Sequence, residues 1–140
     1  MLVQTYISFE GRCEEAIDFY KRTLGAQVQM LMRYKDSPEA PPPDKVPPNS
    51  ENKVMHASFT IGETTVMASD GYCSGKPAFN GFSLSVTVDD AAAADRVFAA
   101  LSAGGKATMP LTKTFFSPRF GMLVDRFGVS WMIVVAAQKP

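Results

Sequence analysis

One histidine stands in the chain, His56, within the run V-M-H-A-S-F-T-I-G. As the one side chain that titrates near neutrality, it is the best general base on offer. Its plainer role is that of a hydrogen-bonded structural histidine, and a single imidazole cannot build a metal centre alone. Two thiols come next. Cys13 falls at a predicted helix start, where a thiol can be acidified. Its place on the apolar stripe of that helix predicts a buried, inert group instead. Cys73, in D-G-Y-C-S-G-K-P, is expected in a polar loop and is the one expected to react with a thiol reagent. No cluster of His or Lys beside either marks a nucleophile. Arg119 lies near the final hairpin and could hold a carboxylate or phosphate in bidentate fashion. For Arg126 and Asp125 the plainer reading is a solvated pair or a turn-stabilising carboxylate. There is no G-x-S-x-G elbow, no Walker loop and no strand–G-x-G–helix fingerprint.

The charge balance narrows the function further. Fourteen basic side chains meet fourteen acidic ones in 140 residues. No net positive field is available to recruit nucleic acid or an anionic membrane. The N-terminal M-L-V-Q-T-Y-I-S-F lacks the basic and apolar regions of a signal peptide. No apolar run approaches the roughly 20 residues that span a bilayer. Two cysteines form neither a disulfide framework nor a C-x-x-C motif, so a reducing cytoplasm is the expected compartment. A chain of this length, 46% hydrophobic, fits a single domain over 1–140 with a proper core.

The elements that must position these groups repeat. V-Q-T-Y-I-S-F alternates as a strand, with Val3, Thr5, Ile7 and Phe9 on one face and Gln4, Tyr6 and Ser8 on the other. A helix follows in C-E-E-A-I-D-F-Y-K-R-T-L-G. Cys13, Ala16, Ile17, Tyr20 and Leu24 make its apolar stripe, Phe19 sits off it, and Gly25 ends it. A-Q-V-Q-M-L-M-R-Y is the next strand. The second half runs the same way. G-F-S-L-S-V-T-V is a strand with Leu84, Val86 and Val88 opposite Ser83, Ser85 and Thr87. Asp89 or Asp90 can cap the helix A-A-A-A-D-R-V-F-A-A-L-S-A, whose buried stripe would be Ala94, Val97, Phe98 and Leu101. K-A-T-M-P-L-T follows. Phe9 and Val88, Phe19 and Phe98, and Gly25 and Gly104 each stand 79 apart in the same roles. Each half closes on a hairpin, turning near Gly62 and near Gly128. Both halves therefore read β-α-β-β-β, as modules over 1–72 and 79–137 of an α+β domain.

The Pro-rich segment 37–53 interrupts the pattern. Proline removes amide donors, so this is an extended loop, read either as a surface connection or as a flap over a binding cleft. On the strands, His56, Ser58 and Thr60 face away from the helix, while Met55, Ala57, Phe59 and Ile61 face it. Met30, Met32, Met55 and Met109 are expected to fill the core. Met67 and Met132 could soften a binding floor, since thioethers adapt to varied apolar shapes. Tyr6, Phe79, Phe82, Phe115, Phe116 and Trp131 could wall an apolar ligand, although alternation can instead place Trp131 under the helix.

Several of these runs resemble one family closely. They are Y-I-S-F-E-G-R-C-E-E-A-I-D-F-Y-K-R-T-L-G-A, H-A-S-F-T-I-G, M-A-S-D, S-G-K-P-A-F-N-G-F-S-L-S and T-F-F-S-P-R-F-G-M-L-V-D-R-F-G-V-S-W-M-I. Together they are similar to the PhnB-like branch of the vicinal oxygen chelate superfamily. That superfamily includes glyoxalase I, bleomycin-resistance proteins and extradiol dioxygenases. The closing D-R-F-G-V-S-W-M is the most specific part; a Trp is usual where Phe116 stands. The resemblance implies that the two modules curl into a cup, and that related chains pair as homodimers. Metal-dependent members place four His, Glu or Gln ligands in the cup. Carried over, those positions fall on Gln4, Val66 or its neighbour Met67, Ser83 and Met132. A divalent ion wants nitrogen, carboxylate or thiolate donors. This set offers one amide oxygen and little else, so the inherited metal is expected to be lost and no cofactor is expected.

What remains is a cup for a small organic molecule. Gln4, Tyr6, His56, Ser83 and Ser85 are its expected polar contacts. Met67, Met132, Phe116 and Arg119 are its other expected ligand-binding residues. One alternative is a lyase or dioxygenase-like enzyme using a divalent metal at a rearranged site that includes His56. Another is a resistance protein that acts by sequestration. Some members of the branch carry a demethylubiquinone methyltransferase label, which no fingerprint in this sequence supports.

Overall fold

A computed structural model describes residues 1–38 and 47–137 of the chain. Residues 39–46 of the expected Pro-rich flap lie outside the described residues. The chain divides into two compact units, Met1–Pro77 and Ala78–Pro140. The first holds β1 (Thr5–Ser8), α1 (Cys13–Leu24), β2 (Gln27–Arg33), a 3-10 turn (Tyr34–Asp36), β3 (Val54–Ile61) and β4 (Thr64–Ser69). The second holds β5 (Leu84–Val88), α2 (Ala91–Ser102), β6 (Lys106–Thr112), β7 (Phe120–Val124) and β8 (Ser130–Val135). Each unit is the expected β-α-β-β-β module, and the class is α+β. The sheets run β1-β4-β3-β2 and β5-β8-β7-β6. In each, the first strand pairs parallel with the last, and the other pairs are antiparallel.

The repeat extends to detail that alternation cannot reveal. β2 and β6 begin at 27 and 106 and end at 33 and 112, so both bounds differ by 79. Each strand carries an extra residue at the same place, and β6 has a second one between Met109 and Thr112. Gln29 stands between the pairs Val28–Phe59 and Met30–Ser58. Thr108 stands between Ala107–Leu123 and Met109–Met122, again 79 further on. One extra residue shifts the alternation and turns the following side chain to the other face. Met30 and Met109 thereby occupy matching sites.

α1 packs on its sheet through Ala16, Ile17 and Tyr20, all buried. The sheet answers with Ile7, Ala57, Phe59, Val66 and Ala68. The Tyr20 ring lies 6.2 Å from both Phe59 and Phe9. Phe19 departs from the expected stripe and is 2% exposed. Tyr20 stands 5.8 Å away and the Arg22 guanidinium 5.7 Å over its ring, so the helix buries a wider arc than its sequence stripe shows. The C-terminus closes as expected: Gly25, at φ +69°, donates to Lys21 and Ala26 donates to Tyr20. Arg12, at the N-cap, gives no side-chain cap. Asp70 supplies it from the end of β4, accepting from the Cys13 amide at 2.7 Å and from the Val54 amide at 2.7 Å.

In the second unit Asp90 is the cap, accepting from the Ala93 amide at 2.8 Å. Ala94 and Leu101 are buried and Phe98 leans on β7 at Gly121, where a Cβ would stand 2.8 Å from its ring. Asp125 is buried and accepts from the amides of Phe127 and Val129 and from the Trp131 indole at 2.9 Å. This is the turn-stabilising role, and Trp131, 2% exposed, lies on the helix side. The methionines expected in the core do not all reach it. Met30 is 40% exposed and Met32, Met55 and Met109 are half-buried. Met30 and Met32 lie on β2, an edge strand, with their side chains turned from α1. Among the described residues no helix is long and apolar enough to cross a membrane.

Candidate functional site

The face of the first sheet turned away from α1 gathers the chemistry of that unit. Register places Tyr6, Met67, Ser58 and Met30 side by side across all four strands. His56, two residues before Ser58 on β3, pairs with Met32. β4 separates the strands of Tyr6 and His56, yet their side chains meet above it. The Tyr6 hydroxyl lies 3.3 Å from Nδ1 of His56. Their rings stack at 5.6 Å between centroids and 28° between planes. Tyr6 is 47% exposed and His56 is half-buried, so the pair is open to an incoming molecule. A phenol, an imidazole and three thioethers on one accessible face can hold an apolar body and anchor one polar atom.

Other groups border this face. Gln4 is exposed just ahead of β1. Val66 is 4% exposed and pairs with Phe59 on the helix side, so the position on the open face belongs to its neighbour Met67. Tyr34 donates its hydroxyl to the Gly71 carbonyl at 3.0 Å. Burial first, and then the nearby Cys73 and Asp70, hold its phenol above the ordinary value. Cys13 is fully buried, and burial together with the charges of Asp70 and Glu14 pushes its thiol far up. Cys73 is half-buried and is also raised, by burial and then by Asp70. Neither thiol is poised as a nucleophile.

Sequence reasoning missed a charged cleft of about 540 Å³ at the start of α1, lined by Arg12, Glu14, Arg33, Lys53 and Asp70 among others. Its cations are engaged. Arg33 pairs with Glu14 at 2.6 Å, Arg12 pairs with Glu15, and Lys53 donates to the Gly11 carbonyl at 3.0 Å. Arg33 lies on β2 and Glu14 on α1, so only tertiary contact brings them together.

In the second unit the matching row is Ser85, Met132, Met122 and Met109. Ser83 is half-buried just ahead of β5. Phe116 is 44% exposed and packs edge-on to Phe115 and Phe120 at 5.2 and 5.0 Å. Arg119 donates from Nε to Asp95 at 2.6 Å, which ties its guanidinium to α2. With Met67 in place of the buried Val66, the set Gln4, Met67, Ser83 and Met132 offers an amide, a hydroxyl and two thioethers, which do not suit a divalent ion. Among the described residues no three His, Cys, Asp or Glu side chains gather to hold one.

Two β-α-β-β-β modules, each a four-stranded sheet with one helix, make a fold shared with a domain described as glyoxylase/bleomycin resistance protein/dioxygenase from Frankia sp. EAN1pec, at TM-score 0.66 and 13% identity over 100% of this chain and 94% of that one. The chain belongs to the PhnB-like family whose sequence model, described as 3-demethylubiquinone-9 3-methyltransferase, matches residues 2–134. It is similar to the PhnB protein from Bacillus cereus, with 33% identity, 97% of this chain and 100% of that one covered, and TM-score 0.80. It is also 36% identical to protein YjdN of Escherichia coli, over 100% of this chain and 99% of that protein.

Proposed function

We propose that the open face of the first sheet binds a small organic molecule. Its apolar body lies along Met67 and Met30, and its polar end meets Tyr6 and His56. The observation that carries this reading is the accessible Tyr6–His56 pair set beside a row of thioethers. A buried structural histidine would bring its partner into the core, whereas Tyr6 is 47% exposed. Gln4 and Ser58 are the further polar groups of this face. Ser85 and Met132 give the second sheet related chemistry, and Ser83 stands just before it.

The family description names a methyl transfer. The two strand-to-helix connections, residues 9–12 and 89–90, hold one glycine between them, Gly11. Neither can form the G-x-G turn that brings a backbone close to a nucleotide cofactor. Ligand binding without that cofactor is therefore the favoured reading.

A thermal-shift screen tests it, because a ligand specific for the folded state raises the melting temperature by mass action. At a concentration of 100 Kd the stabilisation is about 2.7 kcal/mol. A small organic hit should stabilise the natural chain and lose its effect in His56→Ala. S-adenosylmethionine should give no shift. If every hit acts equally on His56→Ala, the face is not the site.

A further inference from the structure

The geometry points to a specific role for His56: it meets the ligand as a hydrogen-bond donor through Nε2, with Tyr6 as the positioning residue that sets this tautomer. The ligand it selects carries a carbonyl or carboxylate oxygen beside an apolar body. This inference rests on the proposed binding at the same face and adds the ligand class.

The Tyr6 hydroxyl and Nδ1 of His56 lie 3.3 Å apart. A neutral imidazole carries one proton, so one ring nitrogen donates and the other accepts. A phenolic O–H is a more acidic donor than a neutral imidazole N–H. An imidazole nitrogen is in turn a stronger acceptor than a phenolic oxygen. The favourable arrangement is therefore O–H donating to Nδ1, which leaves the proton on Nε2. What orients one ring nitrogen decides what the other can do.

Two consequences follow for the chemistry. The lone pair of Nδ1 is occupied by Tyr6, and Nε2 already holds its proton, so the neutral ring offers an incoming molecule a donor and no free base. On this reading His56 acts as a polarising donor and not as the general base that the sequence offers. The surroundings agree with an acceptor-bearing ligand. Met30, Met32 and Met67 border the pair in register and, as weak acceptors, offer the ligand's body next to Nε2 an apolar surface. They accommodate hydrocarbon well.

Two measurements test the inference. His56 is the sole histidine, so a long-range ¹H–¹⁵N spectrum of untagged, uniformly labelled protein shows one imidazole. At a pH where its signals no longer move with added base, Nδ1 should resonate as a pyridine-like nitrogen and Nε2 as a pyrrole-like one. Tyr6→Phe should introduce the other tautomer. A pyrrole-like Nδ1 in the natural chain, or a Tyr6→Phe spectrum that does not change, overturns the assignment. The second measurement titrates acetophenone against ethylbenzene, which share an apolar body and differ in the carbonyl oxygen. Acetophenone should bind more tightly by about 2- to 12-fold, the worth of one net hydrogen bond. The preference should vanish in His56→Phe and return in His56→Gln, which restores an N–H donor. Equal binding of the two probes at this face contradicts the donor role while leaving the binding proposal standing. If neither probe perturbs Tyr6, Met30 or Met67, the binding proposal itself fails, and the claimed ligand class fails with it.

Discussion

Asp70 accepts the amide of Cys13 at 2.7 Å from across 57 residues, and with its second oxygen the amide of Val54. One carboxylate thus starts a helix and a strand. Asp70→Ala leaves two amide donors in a buried place without an acceptor. The expected loss is about 2–5 kcal/mol of unfolding free energy. Asp70→Asn keeps one acceptor and should fall between. Urea denaturation of the three proteins checks the order. A loss under about 0.5 kcal/mol for the alanine variant, the range of an ordinary surface change, contradicts it.

The final hairpin depends on Asp125 in the same way. It accepts two backbone amides and the Trp131 indole. Asp125→Ala should cost about 3 kcal/mol or more, since charge-assisted bonds are worth about 1.5–3 kcal/mol each. Trp131→Phe keeps most of the apolar volume and removes one bond, so its cost should be smaller. Calorimetric melting of both variants measures the difference, and equal losses would speak against the shared role of the carboxylate.

Stability should fall in strong base through Tyr34. Its folded pKa is raised above the ordinary 10.0, chiefly by burial. The fold therefore favours the neutral phenol; its contribution is full below about pH 10 and is lost as pH rises through the folded value. Ionisation also removes the hydroxyl proton given to Gly71. Denaturation midpoints measured between pH 8 and 11 should decline less steeply in Tyr34→Phe. A residual slope of the same sign belongs to Cys13 and Cys73, whose thiols are also raised. An unchanged slope in the variant contradicts the assignment.

Thiol labelling separates the two cysteines. Cys13 is fully buried and Cys73 half-buried. With a disulfide reagent near pH 8, only Cys73 should react in the native protein, and more slowly than a free thiol, because the thiolate is the reactive form. Cys13 should appear on unfolding. Native labelling of Cys73→Ser at a comparable rate would contradict the burial of Cys13.

These features differ in how far the sequence announces them. The 79-residue repeat of β2 and β6 is legible in the alternation of both strands, but the helix ends differ. Gly25 caps α1 in the left-handed region, whereas α2 ends on Ala103 in an extended conformation with Gly104 (φ +78°) one residue further on. Gly104 therefore does not end its helix as expected. Alternation along one strand also places Tyr6 and His56 on the faces turned from the helix. It cannot show that they meet, because their strands are separated by β4 and the contact depends on register through Met67. The bulges at Gln29 and Thr108 are invisible for a related reason: an extra residue is defined only against the opposite strand. Asp70 escapes notice as a helix cap because no Ser, Thr, Asp or Asn precedes Cys13, and the partner comes from the far end of the module. Phe19 is buried beside Tyr20 and under the Arg22 guanidinium, because α1 buries a wider arc than its sequence stripe shows. Sequence alone offers Arg119 as a holder of a carboxylate or phosphate beside a hairpin, and only the tertiary contact with Asp95 shows its guanidinium engaged.

On the proposed function, a small molecule sits on the Tyr6–His56 face of the first sheet. Methionine-methyl NMR tests it directly, since Met30, Met32 and Met67 report on that face and five other methionines serve as references. With a hit from the thermal-shift screen, signals of this trio should move saturably, and the movement should disappear in His56→Ala. A ligand that binds the chain and leaves all three methyl signals in place would contradict the account.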